Sequence, residues 1–193
     1  MSTALPTAYF TGTSSDIVDL TALGFKSIGH VSKENAPTFT PETEQSDVDA
    51  WGLLEPARTD MISRKTTVKW TGLETHKANL ELYHNRDLST VTYDSTTGET
   101  KFADPTEPDI IYHRVLFLAV DGAGANRIII IKECPKFAIT EVGEQQMHQD
   151  TPIQYDITGR AYIDDTAGYA VQNIFGGPGW KAIAGDAGFT ATP

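Results

Sequence analysis

The sequence predicts a mainly β fold, a β-sandwich or partly closed barrel with one flanking α-helix. Three observations predict it. Apolar and polar residues alternate with the two-residue period of a half-buried strand in several runs, most clearly at 66–72 and 153–160. Clusters of glycine, proline, serine and aspartate separate these runs at short spacing. Only one stretch, 73–86, switches to helical spacing. Many strands with a single helix point to a sandwich or barrel. With 193 residues, one domain spanning 1–193 with its own core is expected.

Residues 1–23 are small, polar and turn-forming and read as an N-terminal arm. Phe25, Ser27, Gly29 and Val31 alternate with Lys26, Ile28, His30 and Ser32, which predicts a first strand. Residues 34–57 hold three prolines and the carboxylates Glu42, Glu44, Asp47, Asp49 and Glu55, and read as a long loop. A loop of that length is functional or disordered. Trp51, Leu53 and Leu54 within it call for something apolar to dock on. Residues 60–72 read as a strand, with Thr66, Val68, Trp70 and Gly72 on one face and Lys65, Thr67, Lys69 and Thr71 on the other. On the helix expected over 73–86, Leu73, Lys77, Leu80, Tyr83 and His84 share the inner face.

Turns are expected at 95–98 and 104–108. Strands are expected over 110–120 and 125–134, joined as a hairpin through Asp121-Gly122-Ala123-Gly124. Pro135 is read as a strand end, with a new strand over 137–146 and another over 151–163. In the last, Ile153, Tyr155, Ile157 and Gly159 oppose Gln154, Asp156, Thr158 and Arg160. Residues 176–193 read as a C-terminal arm opened by the Gly176-Gly177-Pro178-Gly179 turn.

Several chemistries are poorly served. A formal net charge of −11 disfavours non-specific nucleic-acid binding, which rests on phosphate contacts. The lone Cys134 can form no internal disulfide and no thiolate zinc site, and reads as a strand-end residue. The N-terminus lacks a basic region and an apolar core, so no signal peptide is expected, and no run approaches a membrane helix. A soluble protein made in a reducing cytoplasm is the expectation. The glycines at 121–124 precede a strand, not the helix a dinucleotide fingerprint needs, and 176–179 lacks the Gly-Lys-Ser/Thr of a phosphate loop. His30, His76, His84, His113 and His148 include no pair at zinc-binding helical spacing, and no GxSxG elbow occurs. No cofactor, metal or catalytic residue is expected. A carbohydrate-active sandwich using two acids is the remote alternative.

Four motifs carry a resemblance: Asp49-Ala50-Trp51-Gly52, Glu55-Pro56-Ala57-Arg58, Ser63-Arg64-Lys65-Thr66-Thr67-Val68 and Glu74-Thr75-His76-Lys77. Gly176-Gly177-Pro178-Gly179-Trp180 and Arg160-Ala161-Tyr162-Ile163-Asp164 add to it. With these the chain resembles the major tail (tail tube) proteins of long-tailed, non-contractile bacteriophages, particularly those infecting actinobacteria. The resemblance implies a non-enzymatic subunit that forms six-membered rings. The rings stack into a tube through which DNA passes without specific binding. It also implies a place in the virion tail, assembly in the host cytoplasm, and tape measure, terminator and baseplate proteins as partners. Some members carry an extra immunoglobulin-like domain, for which the chain leaves no room after Trp180. Other ring-forming tail parts, or a secretion-tube protein on the same fold, are the nearest alternatives. On this reading Tyr9, Phe10, Phe39, Trp51, Leu53, Leu54, Glu55 and Trp180 are candidates for contacts between subunits. Glu42, Glu44, Asp47 and Asp156 are candidates for charges on the channel wall, where like-charge repulsion keeps DNA sliding.

Overall fold

A computed structural model describes residues 6, 8–11, 16–49, 51–52, 54–107, 109–147, 149 and 152–191. Leu53, Ala50, Pro108, His148 and much of the N-terminal arm lie outside these residues. The described chain is mainly β, as the alternation predicts. Strands β1 (Phe10–Thr11) and β2 (Asp16–Ile17) form a two-stranded sheet. A six-stranded sheet contains β3 (Thr38–Val48), β4 (Arg58–Gly72), β5 (Tyr112–Asp121), β6 (Ile128–Val142), β7 (Tyr155–Tyr162) and β8 (Gln172–Gly176). Its order is β3-β4-β7-β6-β5 with β8 also on β6, so the path does not close on itself. Helix α1 spans Lys77–Tyr83 and a second short helix, α2, spans Pro178–Ile183.

Contacts divide the chain into two units: residues 1–27, 114–136 and 163–193 form one, and residues 28–113 and 137–162 the other. The second unit is built on β4 and β7. Their antiparallel register pairs Val68 with Gly159 and Trp70 with Ile157. Val68, Trp70, Tyr155, Ile157 and Ala161 are buried, on the alternation expected of a one-sided sheet. Phe137 joins them, its ring 5.9 Å from that of Trp70. Gly159 makes room for it, because a Cβ at that position would overlap the Phe137 ring and the Ala138 carbonyl.

The helix is shorter than 73–86, and its buried face differs from the expected one. Asn79 and Leu82 are the buried residues, while Lys77 is exposed. Asn79 is drawn inward because its side-chain amide donates to the Glu74 carbonyl at 2.8 Å, closing the turn into the helix. The strand expected at 25–32 does not form. Val31 makes a single bridge to Gly72, and Gly29, at φ +84°, breaks the extended backbone before it.

Two larger corrections concern prolines. The long loop expected over 34–57 contains a strand: Thr38–Val48 pairs with β4 along its whole length, Pro41 included. β3 is an end strand, where a missing N–H and a row of carboxylates are tolerated and discourage further pairing. Pro135 does not end a strand. β6 runs through it, pairing β8 only up to Glu133, so the proline sits where the strand changes partner.

In the first unit Tyr9, Ile129 and Ile131 form the buried centre, with Phe10, Ile17, Leu20, Leu116 and Ile174 packed around it. The segment 176–193, expected to be an arm, begins at the last residue of β8 and holds α2. Gly176 lies under the Phe10 ring, Gly177 takes φ +95°, Pro178 opens the helix, and the Gly179 N–H donates to the Arg127 carbonyl at 2.9 Å.

Gly159→Ala tests the close packing at the centre of the second unit. It should cost about 1–3 kcal/mol of stability, the range for an overpacked core. Chemical denaturation followed by circular dichroism measures it.

Candidate functional site

The feature with most unsatisfied surface is the ribbon formed by β3 and β4. β4 pairs with β7 only over Thr66–Gly72, whereas its earlier residues pair with β3 alone. The ribbon therefore extends past the sheet as a two-stranded arm. Its register shifts at Glu44/Gln45: Glu44 faces Ser63 and Gln45 faces Met61, leaving Ile62 as the extra residue of a bulge. Cross-strand bonds hold the arm: the Thr59 hydroxyl donates to Asp47 at 2.6 Å and the Ser63 hydroxyl to Glu44 at 3.1 Å, while along β4 itself Arg58 donates to Asp60 at 2.7 Å.

The arm is wet on both faces. All of β3 is exposed except Phe39, which is half-buried. At the tip, Trp51 and Leu54 are as exposed as free side chains, at 105% and 106%. Val48, Met61 and Ile62 are also exposed. Five large apolar groups are thus exposed on one slender ribbon, Trp51 and Leu54 fully so at its tip. Glu55 is exposed beside them. Alternation does not single out Met61 and Ile62; the signal they carry is two adjacent bulky apolar residues just before a strictly alternating run, as in a strand with no buried face.

The other contact candidates are placed differently. Tyr9 is buried, at 4% exposure, so it is a core residue. Its hydroxyl lies 3.3 Å from Arg114, whose guanidinium donates to Glu133 at 2.8 Å. Tyr169 donates to the other Glu133 oxygen at 3.2 Å, and the guanidinium stacks on Phe25 at 5.1 Å. Burial first, and then the hydrogen bond with Glu133, push the Tyr9 hydroxyl well above the usual tyrosine range. Phe10 is half-buried in the same unit. Trp180 is half-buried between Phe175 and Phe189, with centroids at 5.2 and 5.6 Å. Phe175 and Phe189 themselves remain exposed. Leu53 lies outside the described residues.

Of the charged candidates, Glu42, Glu44 and Asp47 stand on the exposed arm, and Glu42 and Glu44 line a shallow, open depression with Thr43, Ser63 and Lys65. Asp156 is half-buried on β7, accepting a hydrogen bond from the Thr71 hydroxyl. It is therefore partly engaged in holding β4 to β7.

The histidines make local bonds. His84 bonds Asp104 at 2.9 Å, and His76 bonds Glu74 at 2.7 Å. Glu74 also accepts from the His30 ring and, at 3.0 Å, from the His30 backbone N–H. These His30 bonds hold its carboxyl below the usual range. Burial lowers His113, opposed by nearby Glu81. Burial also pushes the Cys134 thiol up to about 12, leaving it protonated at neutral pH. Among the described residues no group of three or more His, Cys, Asp or Glu could hold a metal ion, and no helix is long and apolar enough to cross a membrane.

The fold and its surfaces define a strand-rich structural subunit. A family profile described as phage tail tube protein matches residues 1–172, and the chain belongs to that family. It is a structural component of a phage tail, in a family whose members assemble with other tail components. The match includes the β3–β4 ribbon and stops short of Gly176. No curated protein matches the chain.

Two outcomes test the polar clusters. Arg114→Met strands the fully buried Glu133 carboxylate and should cost about 3–5 kcal/mol in urea denaturation. Adding Glu133→Gln should recover part of that loss. Glu74 has a lowered folded-state pKa, so its contribution to stability is complete above the unfolded value, about 4.3, and disappears as pH falls through the folded one. Glu74→Gln should therefore lower the denaturation midpoint at neutral pH and flatten its fall below about pH 4.3.

Proposed function

We propose that this chain is the major tail tube subunit of a long-tailed, non-contractile phage. Six copies form a ring, and rings stack into a tube that conducts DNA without specific binding. The exposed apolar tip of the β3–β4 arm carries the proposal. Trp51 and Leu54 find no cover among the described residues, and burying a large apolar side chain contributes about 1.5–3 kcal/mol. An arm that reaches past its own sheet can place that tip on the next ring. Contact between one surface and a different surface of the neighbour gives an open, repeating assembly. Six such contacts per ring act together, so a modest energy per arm suffices.

The end strands β3 and β5 offer unpaired backbone edges within a ring. The tube would be built in the host cytoplasm around a tape measure protein, bounded by terminator and baseplate proteins. We assign the subunit no catalytic role.

The test is Trp51→Ser combined with Leu54→Ser. The variant should keep the wild-type circular dichroism spectrum and lose at least tenfold in tube yield by negative-stain electron microscopy. Tubes of normal length from the variant would remove the tip from the contact. A wild-type protein that stops at single rings in the presence of its tail partners would point to a terminator or baseplate part.

A further inference from the structure

A second exposed apolar surface lies on the first unit, built from residues beyond 172, where the family profile ends. In the register of β6 with β8, Phe175 lies opposite Ile130. It is therefore on the sheet face turned away from Ile129 and Ile131, which pack on Tyr9. Trp180 of α2 rests on the Phe175 ring, and Phe189 meets Trp180 edge-on. Backbone contacts fix the start of α2 and with it this aromatic row. A Cβ at Gly177 or Gly179 would come within 3.0 Å of the Arg127 carbonyl oxygen, to which the Gly179 N–H donates. The row is covered on one side only: Phe175, Ile183 and Phe189 remain exposed, Phe189 at 62%. Its charges nearly balance. Lys181 and Asp186 are the charged residues of the segment 172–191, and Lys132 stands opposite Asn173 on the same sheet face.

We propose that this aromatic row receives the arm tip of a second copy of the chain, with Trp51 and Leu54 laid against Phe175 and Phe189. A surface with nearly balanced charge offers its occupant apolar area and little else, which suits neither nucleic acid nor a strongly charged segment. The arm tip is the matching occupant: among the described residues, Trp51 and Leu54 are the most exposed of the large apolar side chains. Outside the described residues the large apolar groups are Met1, Leu5 and Leu53, and Leu53 belongs to the tip itself. Pairing like with like leaves one surface bare. Tip on tip exposes the row, and row on row exposes the tip and closes after two copies. Tip on row covers both and is head-to-tail, so it repeats without limit. Two exposed side chains on a half-covered row bury well under about 1,200 Å², the lower end for a stable pairwise interface. One such contact does not hold two free subunits together, whereas contacts made in parallel around a ring do. The proposal rests on the tube reading for that parallel arrangement, and adds to it the surface that the tip meets.

Thiol cross-linking tests it, because Cys134 is buried and its own thiol stays protonated at neutral pH. Glu55→Cys and Thr190→Cys place a thiol beside the tip and beside the row without altering either apolar surface. The two full-length proteins, carrying tags of different mass, are mixed at high concentration and joined with a short bis-maleimide. Denaturing electrophoresis should show the mixed-tag dimer about tenfold above either same-tag dimer, as a head-to-tail contact requires. Glu55→Cys mixed with Ser95→Cys, an exposed position on another loop, should show no such excess. Same-tag dimers in the majority, or mixed dimers no more abundant than with Ser95→Cys, overturn the proposal. Electron microscopy separates it from the tube reading. Phe189→Ser should keep the wild-type circular dichroism spectrum and lose about tenfold in tube yield, as the loss of a contact repeated around each ring predicts. Normal tube yield from this variant, with tubes lost in Trp51→Ser/Leu54→Ser, would give the tip another partner and keep the tube. Mixed-tag dimers together with a wild-type protein that forms no tubes would keep the contact and remove the tube.

Discussion

The pairing of β3 with β4 is the constraint on which the functional surfaces depend. β4 is a single 15-residue strand with two different environments. Its last seven residues, Thr66–Gly72, pair with β7, those up to Lys69 with β3 as well, and carry the Trp70 core on one side. Its earlier residues have β3 alone. One strand thus anchors the core and carries the arm, and the cross-strand bonds of Ser63 and Thr59 keep the outer half ordered without a core beneath it. A two-stranded ribbon is only marginally stable by itself. Continuity with a buried strand allows this one to project.

That division also explains what could be read from sequence. Where a strand has one buried face, the alternation is sharp: Val68, Trp70 and Gly72, and then Tyr155, Ile157 and Gly159, were assigned to the faces they occupy. β3 has no buried face, so it has no alternation to detect, and Pro41 with its flanking carboxylates looked like a loop. β6 was cut at Pro135 because a lost N–H usually ends pairing, yet the hydrogen-bond partner changes there anyway. Helical spacing marks α1 but not its inner face, because Asn79 is buried by a backbone bond and not by hydrophobicity. The tip residues Trp51 and Leu54 were legible as apolar groups in polar surroundings. Tyr9 was not legible as core, since its burial depends on Arg114 and Glu133, more than a hundred residues away.

The first unit shows the same dependence on distant partners. The Gly176-Gly177-Pro178-Gly179 run looks like a flexible turn, but each residue has a specific neighbour. Phe10 fills the space above Gly176, and the 126–127 backbone comes too close to Gly179 for any side chain. The glycines here permit close packing of backbone against backbone, which brings Trp180 onto Phe175. The Arg114–Glu133 pair gives the Tyr9 and Tyr169 hydroxyls a common centre. Removing one partner of such a pair leaves a buried charge uncompensated, which is why both hydroxyls and the guanidinium converge on Glu133.

An open ribbon with an apolar tip poses a problem for any free subunit, because an unpaired strand edge invites aggregation. The composition of β3 answers it. Glu42, Glu44 and Asp47 repel another edge of the same kind, and Pro41 removes one of the donors that such pairing would use. Edge-to-edge pairing through β3 is thereby disfavoured, while the tip, where Trp51 and Leu54 are uncharged, remains available. In the tube reading this separation has a purpose. On that reading association would be confined to a small apolar surface at the end of the arm, with the long flanks that could pair indiscriminately protected by charge.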